Sequence, residues 1–292
     1  MNILSLFVLI PLLMLGALWA ARSLNQVRGV MVVGSTLLLA LSVYLTIDYL
    51  ALRQAGATAE MLYTASTVWY APLNICYSVG VDGISVAMLL LSSIIVFTGT
   101  FASWQLKPMT KEYFLWFTLL SAGVYGFFIS TDLFTMFMFY EVALIPMYLL
   151  IGVWGSGQKE YAAMKLTLML MGGSAFLLIG ILGIFYGAGG DTMNILEIAQ
   201  RHIPTEMQRL FFPLIFLGFG VLGALFPFHT WSPDGHASAP TAVSMLHAGV
   251  LMKLGGYGCF RVAMYLMPEG AEIWGNFFLV LTTISVVYGA FS

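Results

Sequence analysis

The chain has 292 residues, of which 60% are hydrophobic and only 8% charged, with a formal net charge of −2. Soluble domains carry about 25% charged residues, so a water-soluble globule is excluded and a polytopic, all-α membrane protein is expected. No basic patch for nucleic acid is present, Cys76 and Cys259 form no metal or redox spacing, and neither a Walker loop nor a GxGxxG after a strand occurs.

Apolar runs of about 20 residues, the length that spans a bilayer, recur along the chain. They predict helices at Ile3–Ala21, Gly29–Leu50, Ile84–Trp104, Tyr113–Ser130, Leu133–Trp154, Ala162–Tyr186, Leu210–Phe228, Ala239–Tyr265 and Ile273–Ser292. Lipid-facing backbone must be helical here, because every polar group needs an internal partner. No basic segment precedes the first run, so it reads as a transmembrane helix and not a cleaved signal peptide. Arg22, Arg28, Lys107, Lys111 and Lys159 bias alternate loops toward the cytoplasm, which places the N-terminus outside.

Three connections carry information. Residues 51–83 form a long outer loop, where Asp82 is placed to cap the third helix. Residues 188–206 hold a short amphipathic surface helix around Ile195, Leu196, Ile198 and Ile203. Residues 229–238 read as a polar, proline-punctuated turn with His229, Asp234 and His236, and no metal is expected there. The last run reaches Ser292 without a polar end, so a longer native chain is expected.

Ionisable residues inside the spans are costly and mark proton or ion pathways. Glu141 lies nine residues past Asp132, roughly 13–14 Å into the fifth helix. Pro146 follows it and can free a carbonyl nearby. Lys253 lies roughly 20 Å from Pro240 along the eighth helix, too deep for easy snorkelling to an interface. Glu141 is the carboxylate expected to hold it. Gly255 and Gly256 let a neighbouring helix approach. His247 precedes Lys253 by six residues, hence on another face, and titrates near neutral pH. Lys165 starts the sixth helix as a surface lysine or a relay residue, and His229 and His236 are candidates for a proton entrance.

The segments V-D-G-I-S, F-Y-E-V-A-L-I-P-M-Y, Y-A-A-M-K, F-P-F-H-T-W-S-P-D-G-H-A-S-A-P-T-A and H-A-G-V-L-M-K-L-G-G-Y-G resemble the antiporter-like membrane subunits of respiratory complex I, of the subunit M or chain 4 type. The resemblance implies inverted five-helix repeats with broken helices. It divides the chain into helices 1–3 (residues 1–110), a first repeat carrying the proton-path residues (111–265) and the start of a second (266–292). It implies that Glu141 and Lys253 are the family's buried glutamate and lysine. The family's seventh-helix lysine is replaced by Leu222, and Lys165 is the candidate substitute.

The function implied is proton translocation coupled to quinone reduction, within NADH:quinone oxidoreductase. No redox centre is implied on this chain. FMN, iron–sulfur clusters and quinone would reside in partner subunits of the membrane and peripheral arms. The membrane implied is a bacterial plasma membrane or, alternatively, an organellar energy-transducing one. The alternatives are a subunit of a multi-subunit cation/proton antiporter, and of a membrane-bound hydrogenase or a ferredoxin- or F420-linked complex. A purely structural scaffold is a further alternative, favoured by Leu222.

Overall fold

The computed structural model describes residues 2–291. Eight described helices are long and apolar enough to cross a membrane. They are α1 (Leu6–Ala20, preceded by a 3₁₀ turn), α2 (Leu24–Gln54), α3 (Gly83–Ala102), α4 (Thr110–Ile129), α5 (Leu133–Trp154), α6 (Lys159–Gly187), α8 (Thr205–Leu222) and α12 (Pro268–Phe291). The short α7 (Ile195–Ala199) is the expected surface helix. A further long run, residues 241–264, joins α10 (Thr241–Leu246) and α11 (Met252–Gly258) through a π segment at His247–Leu251, and ends in another at Cys259–Met264. Each predicted span therefore has a counterpart, and Ser292 lies outside the described residues.

Polar side chains set the helix starts, because the first N–H groups lack intrahelical acceptors. Ser23 and Gln26 cap α2 reciprocally. Asp82 accepts from the Ser85 N–H at 2.8 Å, the predicted cap of α3. Asp132 caps α5 through the Thr135 N–H at 2.9 Å.

Three local expectations need correction. The 51–83 loop contains an antiparallel hairpin, β1 (Leu62–Tyr70) and β2 (Ile75–Val81). Its β-branched and aromatic residues favour strands, but a search for spanning-length runs passes over strands this short. Asp132 anchors it by accepting from the Cys76 N–H at 3.1 Å. Secondly, the seventh span ends early, at Leu222. Ala224 turns left-handed (φ 56°), while the Leu225 N–H reaches back to Gly220 O at 2.7 Å and the Ala224 N–H to Val221 O at 3.1 Å, a Schellman termination. A side chain at positive φ costs about 1–2 kcal/mol. Ala224→Gly should therefore raise stability by about 1 kcal/mol, read as a higher thermal midpoint in detergent.

Thirdly, residues 231–238 are not a turn but a two-turn helix, α9 (Trp231–Ser238). Pro233 is tolerated because it falls in the first turn, where its missing N–H would have no partner. The Trp231 indole donates to Val221 O at 3.1 Å, which pins α9 beneath the end of α8.

The connections sort onto two faces. On one, Thr131 N donates to Ser78 O and Leu133 N to Met193 O, both at 2.9 Å, joining the hairpin, the start of α5 and the α7 region. On the other, Lys111 donates to Ala21 O at 2.9 Å, the Trp154 indole to Pro108 O at 2.9 Å, and Ser156 N to Ser238 O at 2.8 Å. The first is the hairpin face and the second the α9 face. Between them α4 is the central helix, 78% of its spanning window being buried, against 6% for the peripheral α12.

Candidate functional site

Helix α5 is pressed onto α4 at Gly123, where a Cβ would lie 2.9 Å from both Phe139 O and Ala143 N. Residues 139 and 143 share a face, so Glu141, two positions from each, turns to the other side at about 100° per residue. That side meets α6. There the Tyr140 hydroxyl donates to Leu170 O at 3.1 Å, and Ser174 stands beside the Glu141 carboxyl. Glu141 Oε1 is buried with no hydrogen-bond partner. Pro146 lies within the same helix and leaves the Val142 carbonyl without its usual donor.

Helix α9 gathers the other groups. Asp234 accepts from Lys165 of α6 at 2.6 Å, so this lysine is paired across helices and is no substitute partner for Glu141. The His236 ring stacks on that of His247, with centroids 4.3 Å apart, and Trp231 covers the other side of His247 at 5.2 Å. His247 is 0% exposed, and neither of its ring nitrogens has a partner. His236 Nδ1 lies 3.2 Å from Ser244 Oγ and Nε2 3.5 Å from Met252 Sδ. His229 stands apart from this pair. It packs against Phe226 and Tyr288, with its Nδ1 buried and unpartnered.

Asp234 belongs with His229 and His236 to the polar segment that the sequence offers as a proton entrance or a stabilised loop. The signal was present in the P-D-G-H sequence, but only the helical form of this segment turns Asp234 toward α6. The pair is partly exposed, at 23% and 42%, and such pairs contribute about 1 kcal/mol or less. Asp234→Asn should accordingly shift the unfolding free energy by no more than about 1 kcal/mol, a limit that denaturation of the detergent-solubilised protein checks.

Lys253 and Glu141 are not in contact, contrary to the expectation that one holds the other. The ion pairs among the described residues are Lys165–Asp234, Arg201–Asp191, Arg261–Glu60 and Arg261–Asp82. Glu141 faces α6, whereas Lys253 is exposed on the flank of α11. There it lines a cavity of about 500 Å³ with Phe216 and Gly220 of α8 and Thr282 and Ser285 of α12. Its ammonium donates instead to Ala248 O in the π segment of its own helix. Gly255 brings this helix onto the end of α8, because a Cβ there would meet Phe219 O at 2.5 Å and Gly223 N at 2.6 Å. Gly256, its neighbour, has nothing within 4 Å and serves no such approach. Leu222 is fully buried as the last residue of α8.

An interrupted seventh helix is followed by a π-distorted eighth, with the unpartnered His229 after the break and His247 in the π segment. The family described as NADH:quinone oxidoreductase/Mrp antiporter, transmembrane, matches residues 130–292. The chain belongs to it. Among curated relatives, NAD(P)H-quinone oxidoreductase chain 4 3 of Picosynechococcus is 38% identical over 80% of this chain and 42% of its own length. The chloroplastic NAD(P)H-quinone oxidoreductase chain 4 of Citrus sinensis is 37% identical over 76% of this chain and 45% of its own. The chain thus spans less than half the length of these relatives. A subunit of the structure titled respiratory complex I from Thermus thermophilus with bound NADH superposes with a TM-score of 0.85, at 24% identity, over 98% of this chain and 58% of the other. The fold is therefore the all-α, antiporter-like fold of complex I membrane subunits, and its broken helices are directly visible at residues 223–230.

Proposed function

We propose that this chain is a proton-translocating membrane subunit of an NAD(P)H:quinone oxidoreductase of the complex I type. One observation carries the reading. Among the described residues, four side chains keep a buried nitrogen or oxygen without a partner: Arg28, Glu141, His229 and His247. Three of these are titratable groups that the sequence marks as proton-path candidates. Buried polar groups are ordinarily paired, and an unpaired one is costly, so retaining three of them in a membrane bundle fits groups that gain and lose protons or water.

In this reading protons enter at the α9 face, past Lys165, Asp234 and His236, with His229 as a second approach. His247, Glu141 and Lys253 hold and pass them within the membrane. Residues 111–265 act as the first repeat. The redox groups, FMN, iron–sulfur clusters and quinone, belong to partner subunits in the membrane and peripheral arms. The cyanobacterial and chloroplastic relatives support an energy-transducing membrane, whether a bacterial or an organellar one. A second reading, a subunit of a cation/proton antiporter, draws on the family description itself, which spans both kinds of protein.

The experiment is purification of the intact assembly through a tag on this chain, with identification of its subunits and reconstitution into liposomes. Flavin and iron–sulfur subunits, with donor-driven acidification, are expected. Small membrane chains alone, with sodium-driven proton exchange, would replace the first reading by the second.

A further inference from the structure

On the helix of residues 241–264, Lys253, Tyr257 and Arg261 follow one another at intervals of four, which places them in one row along the helix. The row runs from the middle of this helix to the hairpin face. Tyr257 is buried, its hydroxyl 2.9 Å from Ser85 Oγ of α3. Its ring meets the edges of Phe127 and Phe128 of α4, with centroids 6.1 and 5.4 Å away. Beyond it the Arg261 side chain is only 10% exposed. Its guanidinium is paired with Asp82, and with Glu60 at 3.0 Å. The Tyr265 hydroxyl also donates to Glu60, at 2.6 Å. Asp82 is itself fixed as the cap of α3, so the cluster ties the segment before β1, the start of α3 and the end of this helix into one unit.

We infer that Arg261, held by Asp82 and Glu60, is an electrostatic seal that closes the hairpin side of the path to protons leaving Lys253. The inference deepens the proposed function and rests on it. The chemistry is asymmetric between the two faces. Toward α9 the path offers His236, Asp234 and Lys165, groups that exchange protons or hold water. Toward the hairpin, the next groups along the row after Lys253 are a phenol and a guanidinium. A phenol and a guanidinium both keep their protons far above neutral pH, so neither is a base there. A fixed guanidinium held among buried side chains repels an approaching proton, the device by which some channels exclude cations. Two carboxylates allow that charge to be kept buried without an uncompensated desolvation penalty. A pump needs such a closure, since a path open on both sides dissipates the gradient.

The test is the passive proton conductance of liposomes containing the assembled complex, with no electron donor and an imposed pH gradient. Arg261→Gln is expected to raise the leak about tenfold, the effect of one step in barrier height on a rate. Arg261→Lys keeps the charge and is expected to stay as tight as the parent protein. An Arg261→Gln complex without extra leak overturns the seal, as does an Arg261→Lys complex that leaks equally. Should Arg261→Gln fail to assemble, Tyr257→His decides, because it places a titratable base in the row. With Arg261 intact beyond it, a membrane that stays tight supports the seal and a leak overturns it. These leaks are measured without turnover, so they are independent of whether Glu141 carries coupled translocation. An assembly of small membrane chains alone, with sodium-driven proton exchange, would remove the proposed function while leaving the leak result to stand or fall separately.

Discussion

Under the proposed function, Glu141→Gln is expected to abolish donor-driven proton translocation while the detergent-released assembly continues to oxidise its donor. The amide matches the carboxyl in shape, so packing between α5 and α6 is kept. The Tyr140 bond to Leu170 O and the close approach at Gly123 do not depend on the charge. What is lost is the capacity of a group with a buried, unpartnered oxygen to bind and release a proton. A charge arriving or leaving nearby in a low-dielectric bundle changes that binding by a unit of pKa or more, each unit being about 1.4 kcal/mol. Glutamine has no such response. The measurement is protons moved per donor oxidised in reconstituted liposomes. An unchanged ratio would remove Glu141 from the path.

Gly255→Val breaks the contact between α11 and the end of α8, whereas Gly256→Val is nearly silent. At Gly255 a Cβ would stand 2.5 Å from Phe219 O and 2.6 Å from Gly223 N, both backbone atoms of the Schellman termination. Backbone cannot rotate aside as a side chain can, so the two segments must separate. Overpacking of this kind costs about 3 kcal/mol. At Gly256 nothing lies within 4 Å, and the cost there is well below about 1 kcal/mol. The thermal midpoints of the two variants in detergent give the comparison directly. Equal midpoints would show that the close approach at Gly255 is not what joins these helices. Lys253 lies two residues before Gly255, so Gly255→Val also displaces it from the cavity shared with α8 and α12. Under the proposed function, the same variant is expected to lose translocation along with stability.

The two variants probe different kinds of information. Glu141 stands out in the sequence because a carboxyl inside an apolar span is expensive whatever the neighbouring helices are. Its significance needs no coordinates. Gly255 and Gly256 look alike in the sequence, and only the crossing of α8 over one of them separates a packing residue from one that lines the neighbouring cavity. The same contrast holds for the two His residues of the 229–238 segment. They are equivalent by composition, yet α9 delivers His236 to His247, while His229 is left against Phe226 and Tyr288.

The amino-acid sequence by itself determined the membrane class, the order of the spans, the cap at Asp82, and that Glu141, His247 and Lys253 stand within apolar runs. These follow from hydropathy and residue spacing, which act locally along the chain. The tertiary structure alone decided the partners: Asp234 for Lys165, Ala248 O for Lys253, Asp82 and Glu60 for Arg261. It also decided that 231–238 is a helix, that 62–81 is a hairpin and that Glu141 and Lys253 face apart. Partners bring together residues up to 205 positions distant, as Glu60 and Tyr265 are. Which helix faces are turned toward each other depends on packing between glycine-thinned surfaces, a property of pairs of helices that no single stretch of sequence contains.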